Sequence, residues 1–210
     1  MSQAKNGLCT LNIGCIVLVG GKCCRLGRDK ALEVVGDRSL LERVLSSLSP
    51  LESNIILVAA KNYHFPQLNG YPGLRKVTDT YPDKGPLGGI YTGLATSSSF
   101  YNLIVACDMP FLNWALLGYM IELSSGYDLV VPRLGSLVEP LHAVYSKCCL
   151  APMESLLKQG ELNISNLFNL VKVRYVEADE IDRFDPNHLS FFNVNTEADL
   201  ETAEGLVKGS

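Results

Sequence analysis

The sequence predicts an α/β protein in which a mostly parallel sheet is covered by helices on both faces. Short continuous apolar runs recur at residues 13–19, 54–60, 103–107 and 129–131. Runs that are apolar throughout are typical of strands buried on both faces, whereas half-exposed strands alternate. Segments with helix-start signals lie between these runs. Because strand and helix alternate along the chain, we expect a doubly wound, three-layer α/β sandwich.

The elements follow one another with local signals. Ser39 and Glu42 form the pattern of a capping box that opens a helix ending near residue 47, and Asn113 is placed to cap a helix over residues 114–123. Gly85-Pro86 precedes a helix over residues 87–96. Beyond Pro132 the pattern is less regular, with a strand at 137–145, a helix at 150–158, a strand at 171–176 and a closing helix at 196–207.

Composition limits the class of protein. The chain has 210 residues, of which 47% are hydrophobic and 19% charged, a balance that excludes intrinsic disorder. Its 18 Lys and Arg against 22 Asp and Glu give a formal net charge of −4, which argues against nucleic-acid binding as the main task. We predict a single domain over residues 1–210 and no nucleic-acid partner.

The apolar runs and the cysteines bear on the compartment. The run at 13–19 is too short for a bilayer, which needs about 20 residues, and it leads into Gly20-Gly21-Lys22 instead of a signal-peptide cleavage site. The seven cysteines are an odd number with two adjacent pairs, which favours reduced core residues over a disulfide framework. We expect a cytoplasmic protein without membrane contact.

A glycine-bearing loop with four cations follows the first strand directly. After Gly20 and Gly21 come Lys22, Arg25, Arg28 and Lys30. Glycines let backbone N–H groups approach oxyanions, Arg25 can donate a bidentate pair and Lys30 supplies a compact charge. The spacing is neither GxGxxG nor GxxxxGK[ST], so a Rossmann dinucleotide site and a Walker A loop are unsupported. The loop predicts phosphate binding, with an ordinary surface turn as the alternative.

Two more segments carry candidate site residues. Residues 78–90 carry Asp79 and a glycine-rich helix start, where a ligand can approach the backbone closely. The strand at 103–107 ends in Asp108. Ligands of open α/β sheets bind at the carboxyl edge, and a carboxylate facing nucleotide phosphates is a typical magnesium ligand. We predict that Asp108 binds Mg²⁺, the alternative being a helix cap, for which Asn113 is better placed.

Taken together, four motifs resemble the molybdenum cofactor guanylyltransferase (MobA) family. They run from Leu18-Val19-Gly20-Gly21 to Lys30, from Thr78-Asp79 to Gly89, over Cys107-Asp108-Met109-Pro110 and over Asn193-Val194-Asn195-Thr196. Their order matches the family's L-A-G-G-x-S-x-R-M-G-x-D-K, D-x-x-x-x-x-G-P-L-x-G, C-D-x-P and N-V-N-T-x-x-D-L, across nearly the whole chain. The resemblance implies the fold of nucleotide-diphospho-sugar transferases, which is Rossmann-like without GxGxxG.

The same resemblance implies a nucleotidyltransferase. Such an enzyme transfers GMP from GTP, with Mg²⁺, to the phosphate of a molybdopterin-type molybdenum cofactor and releases pyrophosphate. Residues up to about 110 would bind the nucleotide and the remainder the pterin. Transient contact with molybdoenzymes or other cofactor-biosynthesis proteins is a further implication. The nucleophile would be a phosphate oxygen that is ionised at neutral pH, so a general base is not required.

Family roles can be carried over residue by residue. The implied catalytic residues are Arg25, Lys30 and Asp108, with Asp108 on the metal. The implied nucleotide- and pterin-binding residues are Leu18, Val19, Gly20, Gly21, Lys30, Asp79, Gly85, Pro86, Leu87, Asn193 and Asn195. The segment 139–143 is a weaker match to the family's pterin side, an ordinary strand being an equal alternative, and its His142 is expected to be a satisfied structural residue.

The chain also departs from the family pattern. Val19, Cys23 and Leu26 replace the usual Ala, Ser and Met without removing a charge. Residues 57–60 lack the Asn that relatives often place there to meet the base, although Asn62 is close in sequence. Alternative functions are a molybdenum cofactor cytidylyltransferase, a sugar-phosphate nucleotidyltransferase and a non-catalytic nucleotide- or pterin-binding module.

Overall fold

Strands and helices alternate along the part of the chain that the computed structural model describes, residues 12–20, 29–51, 54–66, 68, 70–71 and 73–209. In chain order they are β1 (Ile13–Val19), β2 (Val34–Val35), β3 (Arg38–Ser39), α1 (Leu40–Leu48), β4 (Asn54–Ala59), β5 (Arg75–Thr78), α2 (Gly85–Thr96), β6 (Tyr101–Ala106), α3 (Trp114–Glu122), β7 (Leu129–Leu134), β8 (Leu137–Val138), β9 (His142–Ser146), α4 (Leu150–Gln159), β10 (Val173–Glu177), α5 (Ala178–Ile181) and α6 (Glu197–Lys208). Every helix within these residues is too short or too polar to cross a bilayer.

The central sheet has the strand order β10-β7-β9-β6-β1-β4-β5, with β8 paired to β7. Strands β6, β1, β4 and β5 pair in parallel, as do β7 and β10. Strand β9 lies between β6 and β7 and is antiparallel to both. The chain winds outward from β1 through β4 to β5 and then continues on the other side as β6. The predicted doubly wound, mostly parallel α/β sheet is therefore confirmed.

Each face of the sheet is covered by helices. Val17 on β1 packs in one core with Leu41 of α1 and Leu117 of α3. Ile16 faces the other core, with Ile90 of α2 and Met153 of α4. Successive residues of β1 thus serve opposite cores, which explains why the run is apolar throughout. A third cluster joins α6 to the β2–β3 hairpin.

The register of the parallel strands aligns their carboxyl ends. Val19 lies opposite Ala59, which lies opposite Thr78. The ladder continues past the strands, because the Asp79 N–H donates to the Ala59 carbonyl over 2.7 Å. The Cys107 N–H likewise donates to the Leu18 carbonyl over 3.1 Å. The residues that follow β1, β5 and β6 therefore meet at one edge of the sheet, a position that the sequence predicted for Asp108 after β6.

The predicted starts of α1 and α3 are confirmed, whereas α2 begins at Gly85, two residues before its predicted start at residue 87. Ser39 Oγ accepts the Glu42 N–H over 3.3 Å, and Glu42 Oε2 accepts the Ser39 N–H over 2.9 Å. Asn113 Oδ1 accepts two N–H groups of the first turn of α3, at 2.9 and 3.1 Å. Both caps involve residues two or three apart, so local sequence is sufficient to specify them.

Two strand predictions differ from the structure. The single strand expected over residues 137–145 is two strands, β8 and β9, because a turn intervenes in which the His142 N–H donates to the Glu139 carbonyl over 3.2 Å. Strand β5 was not predicted. Its sequence, Arg75-Lys76-Val77-Thr78, has no apolar run and is largely exposed, as is typical of the last strand of a sheet.

Candidate active site

Lys30 joins three segments that are distant in sequence. It begins a short 3₁₀ turn whose cap is Asp29, since Asp29 Oδ1 accepts the Ala31 N–H over 3.1 Å. Lys30 Nζ donates to Asp108 Oδ2 over 3.2 Å and to Asn195 Oδ1 over 2.7 Å. The Lys30 and Asp108 side chains are 13% and 23% exposed, so the pair is shielded but accessible. Residues from three of the predicted motifs thus meet around one ammonium group.

The segment that carries Asn195 is attached to Asp108 by its backbone. The Val194 N–H donates to the Asp108 carbonyl over 2.9 Å, and the Val194 side chain is buried. Asn195 presents its amide oxygen to Lys30, an assignment that the chemistry requires because an ammonium group only donates. Asn193 is turned elsewhere, with Nδ2 donating to the Phe191 carbonyl over 3.4 Å. Of the two predicted asparagines, Asn195 is the one at the ion pair.

Asp199 is an acidic residue of this region whose role the sequence analysis left undefined. It occupies the N3 position of the α6 capping box, where Thr196 Oγ1 accepts the Asp199 N–H over 3.2 Å. Its Oδ2 accepts the N–H groups of Asn195 and Thr196, over 2.9 and 2.8 Å. These hydrogen bonds, the first from Asn195, and the nearby charge of Lys30 lower the pKa of Asp199. The pattern T-x-x-D was the available signal.

Glu139 contributes a second carboxyl group near Asp108. It lies in the turn between β8 and β9, and its Oε1 accepts the Leu141 N–H over 3.3 Å. The Leu141 carbonyl in turn accepts the Ala106 N–H over 3.1 Å, next to the Cys107-Asp108 step. Burial raises the pKa of Glu139, and the negative charge of Asp108 raises it further. The weakly predicted segment 139–143 therefore does reach the same edge of the sheet.

The donors around Lys30 bear on metal binding. Asp108 and Glu139 offer carboxylate oxygens and Asn195 an amide oxygen, which are the hard ligands that Mg²⁺ prefers. Within the described residues, however, no group of three or more His, Cys, Asp or Glu side chains is placed to hold a metal ion by itself. A cation at this place would need further ligands beyond these carboxylates.

The end of β1 has the backbone that the predicted loop requires. Gly20 has a φ of +87°, which favours glycine over residues with a Cβ. A Cβ at Gly20 would lie 3.8 Å from the Tyr63 ring. Burial, together with Asp29, raises the pKa of the Tyr63 hydroxyl, so this ring remains neutral beside the loop. Asn62, the nearby candidate for the base, is exposed in the turn after β4 with a φ of +71°.

Asp79 is held by its own turn. Its Oδ1 accepts the Tyr81 N–H over 2.9 Å and the Thr92 hydroxyl over 2.8 Å. The first contact is that of an Asx turn, which orients the backbone entering α2. Asp79 lies three inter-strand steps from Asp108 at the same edge, about 14 Å in a sheet of ordinary spacing. The two carboxylates therefore belong to different ends of the candidate site.

Residues 85–87 at the start of α2 can offer only backbone polar groups to a ligand. Gly85 is exposed with a φ of +63°, and Pro86 follows it in the first turn. Leu87 and Val19 have fully buried side chains, so a ligand could reach only their peptide groups. Lys84 makes no side-chain cap to α2 within the described residues. Anion binding by the first turn of α2 stays a prediction.

Part of the predicted loop lies outside the described residues. Arg25 and Gly21, together with Lys22 and Arg28, lie outside the described residues, as do Cys9, Cys23 and Cys24. Cys15, Cys107 and Cys149 are buried and Cys148 is exposed. A groove of about 680 Å³ is lined by Asp37, Glu42, Tyr71 and neighbours, including Asn54 and Ile55 at the start of β4.

The hydrogen bonding of His142 differs from the prediction. It is fully buried at the start of β9, yet neither ring nitrogen has a hydrogen-bond partner among the described residues. The Phe191 ring packs against it with centroids 4.9 Å apart. Burial lowers the pKa of His142 to about 4, against a small opposing effect of the Asp185 charge. The residue is structural as expected, but it is not satisfied.

The relationship to known proteins follows from the whole chain. A family profile described as a MobA-like NTP transferase domain matches residues 15–173. The chain belongs to the MobA-like NTP transferase family. The matched range contains Lys30, Asp79, Asp108 and Glu139, whereas Asn195 and Asp199 lie beyond it. As a member of this family, the protein is a nucleotidyltransferase.

Similar proteins extend the match towards the C-terminus. A probable molybdenum cofactor guanylyltransferase of Pelotomaculum thermopropionicum is 36% identical over 195 residues, which is 93% of this MobA-like chain and 93% of the relative. A probable molybdenum cofactor guanylyltransferase of Methanosarcina mazei is 38% identical over 92% of this chain and 90% of its own. These relatives match the MobA-like chain over nearly its full length.

Solved structures agree with the fold. Molybdopterin-guanine dinucleotide biosynthesis protein A of Archaeoglobus fulgidus has a TM-score of 0.81 and 27% identity, over 94% of this MobA-like chain and 100% of that one. A 2-C-methyl-D-erythritol 4-phosphate cytidylyltransferase of Thermus thermophilus has a TM-score of 0.68 at 16% identity, covering 94% of this chain and 99% of its own. The second likeness concerns the fold alone.

Proposed function

We propose that this MobA-like protein transfers GMP from GTP to the phosphate of a molybdopterin-type molybdenum cofactor. The observation that carries the proposal is the Lys30 ammonium group, which bridges Asp108 at the end of β6 and Asn195 before α6. An ammonium group between an amide and a carboxylate that could bind a metal ion suits a triphosphate site. The names of the guanylyltransferase relatives and of the Archaeoglobus protein support the substrate pair.

The reaction requires alignment and charge neutralisation. An ionised oxygen of the acceptor phosphate attacks the α-phosphorus of GTP, a new P–O bond forms, and the bond from the α-phosphorus to the bridging oxygen breaks. The electron pair leaves with pyrophosphate. No proton has to be removed from the nucleophile, which agrees with the lack of a general base in the predicted set. Holding both phosphates in line supplies most of the acceleration.

The residues of the chain divide this work. Lys30 neutralises the charge that develops on the phosphates and can exchange its contact with Asp108 for one with the nucleotide. Arg25, from the same loop in sequence, would add a bidentate contact. Asp108, with Glu139 nearby, would hold Mg²⁺, which when bound screens the triphosphate and polarises the α-phosphate. Oxygen donors on two segments fit that ion.

The two substrates would lie at different parts of the same sheet edge. Residues up to about 110 would form the nucleotide side, with the backbone of Leu18, Val19, Gly20 and Gly21, with Asp79 and with the start of α2 at residues 85–87. The remainder, including Asn193, Asn195 and segment 139–143, would form the pterin side. Residues 1–210 would act as one domain, because a single sheet carries both sides.

Pyrophosphate release tests the proposal. The purified protein is incubated with Mg²⁺ and either GTP, CTP or ATP, with and without molybdopterin-bound molybdenum. We expect release only when GTP, Mg²⁺ and the acceptor are all present. Faster release with CTP would replace the guanylyl assignment by a cytidylyl one. Tight GTP binding without turnover in the presence of the acceptor would contradict transfer and indicate a binding module.

A further inference from the structure

The carboxylate of Asp199 binds two successive peptide groups before α6. Its Oδ2 accepts from the Asn195 N–H over 2.9 Å and from the Thr196 N–H over 2.8 Å. The Thr196 contact belongs to the capping box of α6, in which Thr196 is the N-cap. The Asn195 contact goes one residue further than a capping box needs. It fixes the peptide of the residue whose side chain reaches Lys30.

The segment that directly precedes α6 is therefore held at two successive peptide groups. The Val194 N–H is bound to the Asp108 carbonyl, and the Asn195 N–H is bound to Asp199. Val194 itself is buried between α6 and the β2–β3 hairpin. Asn195 is exposed, but its backbone is fixed on both sides, and its amide oxygen lies 2.7 Å from Lys30 Nζ. One carboxylate thus orients the amide that orients the ammonium group.

We propose that Asp199 is a positioning residue of the nucleotidyltransfer site, which sets the place of the Lys30 ammonium group through Asn195. Its importance for the nucleotide rests on the proposed function, whereas its effect on Lys30 does not. Asp199 acts across two hydrogen bonds and touches neither phosphate nor metal in this proposal. Its role differs from that of a helix cap, which would stabilise α6 without affecting Lys30.

A matched capping residue exists elsewhere in the chain. Glu42 occupies the same N3 position in the capping box of α1, where it accepts the Ser39 N–H over 2.9 Å. Helix α1 also lies beside the Lys30 turn, since the Leu40 N–H donates to the Glu33 carbonyl over 2.8 Å. Loss of Glu42 therefore removes a comparable cap close to the same turn, but leaves Asn195 and its contact with Lys30 in place.

The first experiment measures the reactivity of Lys30 in the protein without nucleotide. Acylation by an amine-reactive ester is followed residue by residue by mass spectrometry for the wild type, Asp199→Ala, Asp199→Asn and Glu42→Ala. Losing a hydrogen bond from a charged donor should raise the Lys30 rate about threefold to tenfold in Asp199→Ala. Asp199→Asn keeps an oxygen that can accept both N–H groups but loses the negative charge near Lys30, so its Lys30 rate should rise less than that of Asp199→Ala.

The outcomes separate positioning from capping. We expect Asp199→Ala and Glu42→Ala to lower the melting temperature by similar amounts, with faster Lys30 acylation in Asp199→Ala alone. An unchanged Lys30 rate in Asp199→Ala, or an equal rise in Glu42→Ala, would overturn the proposal. If Asp199→Ala does not fold, Asp199→Leu and the temperature dependence of the Asp199→Asn rate provide the same comparison. A Lys30 acylation rate that does not depend on the hydrogen-bond acceptor at position 199 would overturn the proposal equally.

The second experiment tests the consequence for the nucleotide with a double-mutant cycle. The Kd of Mg²⁺-GTP is measured for Asp199→Ala, Lys30→Ala and the double variant. If Asp199 acts through Lys30, the Kd rises about tenfold in Asp199→Ala but changes little when Lys30 is already absent. Additive effects would contradict a route through Lys30. A wild type that binds no GTP, with the acylation pattern as expected, would refute the proposed function and leave the positioning role standing.

Discussion

The ammonium group of Lys30 lies 3.2 Å from Asp108 Oδ2, although 78 residues separate the two in sequence. The contact spans the gap between the loop after β1 and the end of β6, which are neighbouring strands. In an ion pair of this kind the two opposite charges compensate each other until a ligand takes the place of one partner. Bound nucleotide would offer its phosphates to Lys30 and leave Asp108 for a metal ion, so each residue of the pair has its own testable role.

Lys30→Ala should weaken nucleotide binding with little effect on folding. Loss of a charge-assisted contact to phosphate is expected to raise the Kd of Mg²⁺-GTP about tenfold or more. Isothermal titration calorimetry measures this Kd. Lys208→Ala is the control, because Lys208 is an exposed lysine on α6 that pairs with Glu204. Equal affinities of Lys30→Ala and the wild type would remove Lys30 from the site.

Asp108→Ala should abolish transfer while the protein remains folded. Because the ion pair is partly exposed, its loss should change stability by about 1 kcal/mol or less. Loss of the proposed metal ligand should lower the rate of pyrophosphate release about 10²-fold or more at every magnesium concentration. Glu122→Gln, an exposed change on α3, serves as the control. Activity that excess magnesium restores fully would exclude Asp108 as an essential ligand.

Gly93→Ala should destabilise the fold because α2 packs closely on β1. A Cβ at Gly93 would lie 2.5 Å from Ile16 Cγ2, in the middle of one core. Overpacking of this kind costs about 1–3 kcal/mol. The matched substitution is Gly118→Ala in α3, where an added Cβ meets nothing within 4 Å. That variant should gain up to about 1 kcal/mol from helix propensity. Chemical denaturation measures both, and the idea fails if the two changes have the same sign.

His142 should make the protein sensitive to acid. The histidine has an ordinary pKa of 6.5 when unfolded, and burial lowers it to about 4 in the folded state. Between these values the unfolded chain binds more protons, so stability is present above pH 6.5 and is lost as the pH falls towards 4. The full loss amounts to about 3 kcal/mol.

Urea denaturation at two pH values tests this effect. Between pH 7.5 and pH 5.0, His142→Leu should lose about 2 kcal/mol less stability than the wild type. His142→Gln keeps a buried polar side chain without a titrating ring, so it should share the smaller loss whatever its stability at pH 7.5. The same pH dependence in all three proteins would show that His142 does not titrate in this way.

Local features of the fold were predictable because they depend on residues close in sequence. The capping box of Ser39 and the cap of Asn113 are each formed within one helical turn, and the apolar run of β1 indicates burial on both faces. The short polar β5 was missed because its place at the end of the sheet removes the need for an apolar run. Strand β5 is defined by its pairing with β4, and no local sequence pattern indicates that pairing.

By itself, the sequence determined the α/β class, the helix starts, the four ordered motifs and the family they resemble, since each is written in neighbouring residues. Only the tertiary structure decided that β9 enters the sheet antiparallel between β6 and β7, and that Lys30 meets Asn195, which is 165 residues away. It also revealed that the buried His142 ring has no hydrogen-bond partner among the described residues, and that Asp199 accepts from two successive peptide groups. These relationships depend on which distant surfaces pack together, and packing is a property of the whole core.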